Sequence, residues 1–76
     1  MLNLYVLKSC PFCGKVVEFI KNKNIDIEIK DIEQSDNFQE LMRLGGKEQV
    51  PFLHDTQHDV TMYDSAKIME YLDKNY

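Results

Sequence analysis

The chain has 76 residues, 43% hydrophobic and 29% charged, and its nine basic and thirteen acidic side chains give a formal net charge of −4. That is the composition of one small globular domain, taken as residues 1–76, with no room for a second core and no signature of disorder. Lysines scattered singly argue against the concentrated basic face of a nucleic-acid binder, and no apolar run approaches the roughly 20 residues of a membrane helix. Met1-Leu2-Asn3-Leu4 has neither a charged leader nor a small-residue cleavage site, so no signal peptide is expected and a cytoplasmic location is. Domains this small often lean on disulfides or metals. Here only Cys10 and Cys13 are present, and a bridge between them closes too short a loop to constrain the unfolded chain much.

Leu2 to Leu7 is a nearly continuous apolar run, as expected for a strand buried on both faces. Lys8-Ser9-Cys10-Pro11 stops it, and Pro11 suits the first turn of a helix, where its missing N–H costs nothing. Phe12, Val16, Phe19 and Ile20 follow at helical spacing until Lys21-Asn22-Lys23-Asn24 ends the helix. Ile25, Ile27 and Ile29 alternate with Asp26, Glu28 and Lys30, the period of a strand with one wet face. Strand, helix, strand favours a right-handed parallel unit.

Ser35 is the expected N-cap of a second helix with Phe38, Leu41 and Met42 on its apolar face, closed by Gly45-Gly46. Val50 to His54 reads as a third strand with proline near its start, Asp55 to Asp59 as a polar turn, and Val60-Thr61-Met62 as a fourth strand. Asp64 or Ser65 caps a last helix whose buried stripe is Ile68, Met69 and Leu72. The order is βαβαββα.

The chemistry begins at Cys10-Pro11-Phe12-Cys13. Disulfide exchange needs a thiolate, and an unperturbed cysteine has a pKa of roughly 8.5. Cys10 falls at the mouth of the first helix, where free N–H groups and the positive end of the dipole favour an anion. Lys8, two residues earlier, adds a positive charge. Cys10 is therefore the expected nucleophile, and Cys13, one turn in and shielded, the resolving thiol. Two other readings compete. The pair could be inert core cysteines, or half a zinc site completed by His54 and His58. The forty residues before His54 exceed the ~12–15 of a zinc finger. No metal is expected, and the redox reading is preferred.

The sequence resembles the glutaredoxins of the thioredoxin superfamily in three places. Lys8-Ser9-Cys10-Pro11-Phe12-Cys13 is close to the family's dithiol Cys-Pro-Tyr-Cys, with phenylalanine for tyrosine. Val50-Pro51 matches its Thr-Val-Pro, with Gln49 for threonine, and Asp64-Ser65 stands where the family has an acidic residue after Gly-Gly. The resemblance implies a thioredoxin-like α/β fold, a four-stranded mixed sheet flanked by three helices, with Pro51 cis and facing the thiols. The Val50 backbone would then pair with an extended cysteinyl peptide beside Cys10.

For glutathione, the resemblance implies that Asp64 faces the γ-glutamyl ammonium and that the N–H groups of Asp64 and Ser65 take the neighbouring carboxylate. Lys8 and Lys47 are candidates for the glycyl carboxylate. Asp64 also reads as a plain N-cap, and Lys47 equally well as a solvated loop lysine. Thr61-Met62 replaces the family's Gly-Gly, and larger side chains there would narrow the groove. Tyr63 to Leu72 resembles the end of the glutathione-binding domain of glutathione transferases as well. With 76 residues no partner helical domain is expected, and the Cys-x-x-Cys points to dithiol redox work.

The expected function is that of a monomeric dithiol glutaredoxin reducing protein disulfides and glutathionylated proteins. Glutathione would be co-substrate, glutathione reductase an indirect partner, and no cofactor tightly bound. Two rivals keep the fold: a redoxin reduced by thioredoxin reductase, and a non-enzymatic module holding an iron–sulfur cluster through Cys10 and glutathione.

Overall fold

A computed structural model describes residues 1–76. Its elements are β1 (Leu2–Val6), α1 (Pro11–Lys23), β2 (Glu28–Asp31), α2 (Asn37–Gly45), β3 (Phe52–Asp55), β4 (Val60–Tyr63) and α3 (Ser65–Asn75). The sheet order is β2-β1-β3-β4. β1 runs parallel to β2 and antiparallel to β3, and β3 is antiparallel to β4. The result is the four-stranded mixed sheet with three helices that the resemblance implies. No helix is long and apolar enough to cross a membrane.

β1 is buried throughout, and its alternation feeds two cores. Leu2, Leu4 and Val6 join Leu53 of β3, Cys13, Val16 and Ile20 of α1, and Ile68 and Leu72 of α3. On the opposite face Tyr5 and Phe52 pack against Leu41 of α2. The Tyr5 hydroxyl donates to Glu40 Oε1 at 2.9 Å and Lys30 Nζ donates to the same oxygen at 3.0 Å, which fastens α2 over β1 and β2. Burial, and then the Glu40 carboxylate, push the Tyr5 phenol up to about 12.

The element boundaries depart from the sequence reading for local reasons. β1 stops at Val6, because the Leu7 carbonyl turns to accept the Cys10 N–H at 3.0 Å. Asn24 closes α1 in the left-handed region, and Ile25 N–H bonds back to Ile20 at 3.1 Å. Ile25 and Ile27 therefore pack on the core without joining the ladder, which begins at Asn3↔Glu28 and leaves Ile29 42% exposed. Ser35 is not the N-cap of α2. It sits at φ 53 in the preceding turn, and Asp36 holds the cap position. The β3 ladder starts at Phe52, since Pro51 has no N–H to offer. Asp55, read from sequence as a turn residue, is the last residue of β3 and completely buried.

Candidate active site

Cys10 is the N-cap residue of α1, extended at φ −87 and ψ 116, with Pro11 in the first turn. This directs its half-buried thiol beyond the carboxyl end of β1 toward the segment entering β3, and Cys10 Sγ lies 4.0 Å from the Val50 carbonyl oxygen. The Val50–Pro51 peptide bond is cis. Cys13 is one turn further, sealed into the main core at 2% exposure. Both cysteines are free thiols.

Burial alone would raise the Cys10 pKa. It is outweighed by the backbone N–H of Cys13, the Cys13 thiol and the backbone N–H of Phe12, which together hold Cys10 below the ordinary cysteine value. Cys13 goes the other way. Burial, reinforced by the hydrogen bond to Cys10 and the charge on it, and opposed by the Leu7 backbone, pushes it up to about 11. The two thiols are thus split into one ready to ionise and one that keeps its proton.

Lys8 does not supply the charge expected of it. Its side chain is 78% exposed and lies 4.0 Å from Asp31, and the groups that stabilise Cys10 are backbone amides and Cys13. Lys8 instead edges a broad groove of about 630 Å³ behind Cys13, floored by Val6, Leu7, Val17 and Ile29. Val50, Pro51, Asp64 and Ser65 do come together. They line a groove of about 330 Å³ along with Phe12 and Gln49.

Asp64 serves as cap and groove wall at once. Its Oδ1 accepts the Ala66 N–H at 3.2 Å, and its backbone stands at φ 79, where a non-glycine residue is strained. The first turn of α3 behind it presents N–H groups without intrahelical partners. Lys47 lies outside the groove lining, and its backbone is bonded to the Tyr63 hydroxyl. Thr61 and Met62 do not narrow the groove. Thr61 is exposed opposite His54, and Met62 packs on the core opposite Leu53.

Phe12 and Gln49 are the groove residues that sequence reasoning missed. Phe12, counted by helical spacing with Val16, Phe19 and Ile20, is 56% exposed with the Lys15 ammonium 5.7 Å from its ring centre. Its position between the two cysteines was the available signal, as was the place of Gln49 just before Val50-Pro51. His54 and His58, the imagined zinc partners, are used elsewhere. His54 sits in β3 opposite Asn3, and His58 Nδ1 is 2.8 Å from Asp55 Oδ2. No group of three or more metal-ligating side chains converges.

A four-stranded mixed sheet with three helices and a Cys-x-x-Cys at the mouth of α1 is the arrangement of the thioredoxin superfamily. Within it, residues 4–76 match the glutathione S-transferase N-terminal domain, and the chain belongs to that family. A glutaredoxin-like 8.6 kDa protein of the rubredoxin operon of Clostridium pasteurianum is 25% identical over 75 residues, covering 97% of this chain and 100% of the relative. Glutaredoxin 2 of Escherichia coli strain K12 is 33% identical over 75 residues, covering 96% of this chain but 33% of its own. The crystal structure of glutaredoxin 2 from Salmonella typhimurium in complex with glutathione superposes with a TM-score of 0.79 at 30% identity, again over 96% of this chain and 33% of that one. The chain thus spans the whole of one relative and about a third of the glutaredoxins 2. Both resemblances read from the residues, to glutaredoxins and to the transferase domain, are met.

Proposed function

We propose that the protein is a glutathione-dependent thiol–disulfide oxidoreductase using Cys10 and Cys13. The observation that carries this reading is the split thiol pair, with the more acidic sulfur 4.0 Å from the Val50 carbonyl and next to the groove holding Asp64 and Ser65. The Cys10 thiolate attacks one sulfur of a disulfide. A Cys10–S bond forms, the substrate S–S bond breaks, and the other half leaves as a thiolate. With a protein disulfide, Cys13 gives up its proton and attacks the Cys10 sulfur, releasing the reduced protein and leaving a Cys10–Cys13 disulfide. With a glutathionylated substrate, the thiolate of a second glutathione attacks instead. Two glutathione molecules, oxidised to their disulfide, return the dithiol.

In this reading the Val50 backbone pairs with the cysteinyl peptide of glutathione, Asp64 meets its ammonium, and the N–H groups at the start of α3 meet its carboxylate. The cycle needs a reduced glutathione pool, which argues for a cytoplasmic setting. Hydroxyethyl disulfide reduction coupled to glutathione reductase tests it. Steady NADPH consumption that needs both glutathione and the protein is expected. Turnover only with thioredoxin reductase would replace glutathione as the electron source.

A further inference from the structure

Tyr63 ends β4, directly before Asp64. Its ring lies on Phe52, with centroids 4.7 Å apart, and its hydroxyl meets the backbone of a single residue twice. The hydroxyl oxygen accepts the Lys47 N–H at 3.1 Å, and the hydroxyl donates to the Lys47 carbonyl at 2.9 Å. That carbonyl also accepts the Gln49 N–H at 3.0 Å, so the contact runs on into the groove lining. Gly45 makes the space. A Cβ at position 45 would overlap the Tyr63 hydroxyl and lie 2.8 Å from its Cζ and 2.9 Å from Phe52 Cε1.

We propose that Tyr63 is a positioning residue, whose hydroxyl ties the Lys47–Gln49 turn to the end of β4 and sets the spacing between the groove's two walls in front of Cys10. One wall is Gln49, Val50 and Pro51, and the other is Asp64 and Ser65. Without the clasp, residues 46–49 are an exposed turn whose one backbone hydrogen bond to α2 is that from the Gly46 N–H to the Met42 carbonyl. Lys47 contributes through its backbone. The inference rests on the reading of the groove as the substrate site, and it adds the residue that holds the groove's width.

The test is Tyr63→Phe, which deletes the hydroxyl and keeps the ring on Phe52. KM for glutathione is expected to rise about five-fold or more, since both of the hydroxyl's hydrogen bonds to Lys47 are lost. kcat should stay within about two-fold, and the pH profile of Cys10 alkylation should not move. Amide exchange at Lys47 should quicken. Gly45→Ala, whose Cβ pushes on the hydroxyl and on the buried Phe52 ring together, should raise KM too but with a lower melting temperature, so the decision rests on Tyr63→Phe. An unchanged KM in Tyr63→Phe overturns the proposal, as does a fall in kcat and melting temperature in step with the rise in KM, the mark of general loosening. Should the unaltered protein fail to use glutathione, the same comparison is made with a peptide disulfide as substrate and dithiothreitol as reductant. The electron source is then wrong, while KM for the peptide still decides on the clasp.

Discussion

At one end of β3 the Cys10 thiol sits half-buried against the Val50 carbonyl. At the other, the Asp55 carboxylate is fully buried beneath Tyr71, Tyr76 and His58. Burial opposes the anion at both ends, and hydrogen-bond donors outweigh it at both. Tyr71 and Tyr76 donate to Asp55 Oδ2 at 2.5 and 2.8 Å, with His58 Nδ1 at 2.8 Å, while the N–H groups of Gln57 and His58 donate to Oδ1 at 3.1 and 3.3 Å. Asp55 is held well below the usual carboxylate range. Its lone pairs are filled, so it is ionised and inert, and it joins β3 to α3. Cys10 is stabilised by backbone amides and Cys13 with one side left open. The same device gives a structural anion where it is closed and, in the function proposed above, a nucleophile where a face stays free.

Removing each anion should break the comparison in different ways. Cys10→Ser is expected to reduce disulfide turnover to background without changing the melting temperature. Cys13→Ser should keep the reduction of glutathione mixed disulfides, and loss of that activity would reverse the two roles. Alkylation of the reduced protein by iodoacetamide should modify Cys10 alone at pH 7. A thiol at about 11 is less ionised than an ordinary cysteine by roughly two orders of magnitude, and Cys13 should react only as the pH approaches 11. Mass spectrometry of the alkylated peptides reads this directly.

Asp55→Asn does the converse, leaving Tyr71 and Tyr76 facing an amide. A loss of about 2 kcal/mol is expected, or roughly 8–16 °C in a domain this small, with Cys10 alkylation unchanged in the folded fraction. The folded pKa of Asp55 lies below its unfolded value of about 3.9, so its stabilisation is complete above that pH and is lost as the pH falls toward the folded pKa. Acid unfolding should therefore set in below about pH 4 and be flatter in Asp55→Asn. Equal acid stability in the two proteins would remove Asp55 from its bracing role.

The cysteine end was far more legible in the sequence than the Asp55 end. Cys10, Pro11 and Cys13 lie within one helical turn, so spacing alone reveals their relation. Val50-Pro51 and Asp64-Ser65 lie far off in the chain but match a family pattern, which carried them. Asp55 opens the polar run Asp55-Thr56-Gln57-His58-Asp59, and its partners Tyr71 and Tyr76 are 16 and 21 residues away. Nothing local distinguishes it from a turn aspartate. Phe12 was misplaced because helical periodicity counts an apolar residue in the first turn as core, although the groove lies at that turn. Ser35 has the right chemistry for a cap, but the turn before α2 puts it at positive φ and passes the position to Asp36.

Smaller effects sharpen the picture of the open end. Asp64→Asn retains a side-chain oxygen for the Ala66 N–H and removes the charge, so it separates capping from ligand binding. KM for glutathione is expected to rise about ten-fold, the range of a charge-assisted hydrogen bond, with little change in melting temperature. Equal KM would leave Asp64 a cap alone. Lys8→Ala should do least. A pair at 4.0 Å whose ammonium is 78% exposed contributes at most about 1 kcal/mol, and neither Lys8 nor its partner Asp31 is among the groups that stabilise the Cys10 anion. The midpoint of Cys10 alkylation against pH should stay where it is. A rise would mean that the ammonium swings to the thiolate in solution, and the open end would then be held by a mobile charge as well as by fixed amides.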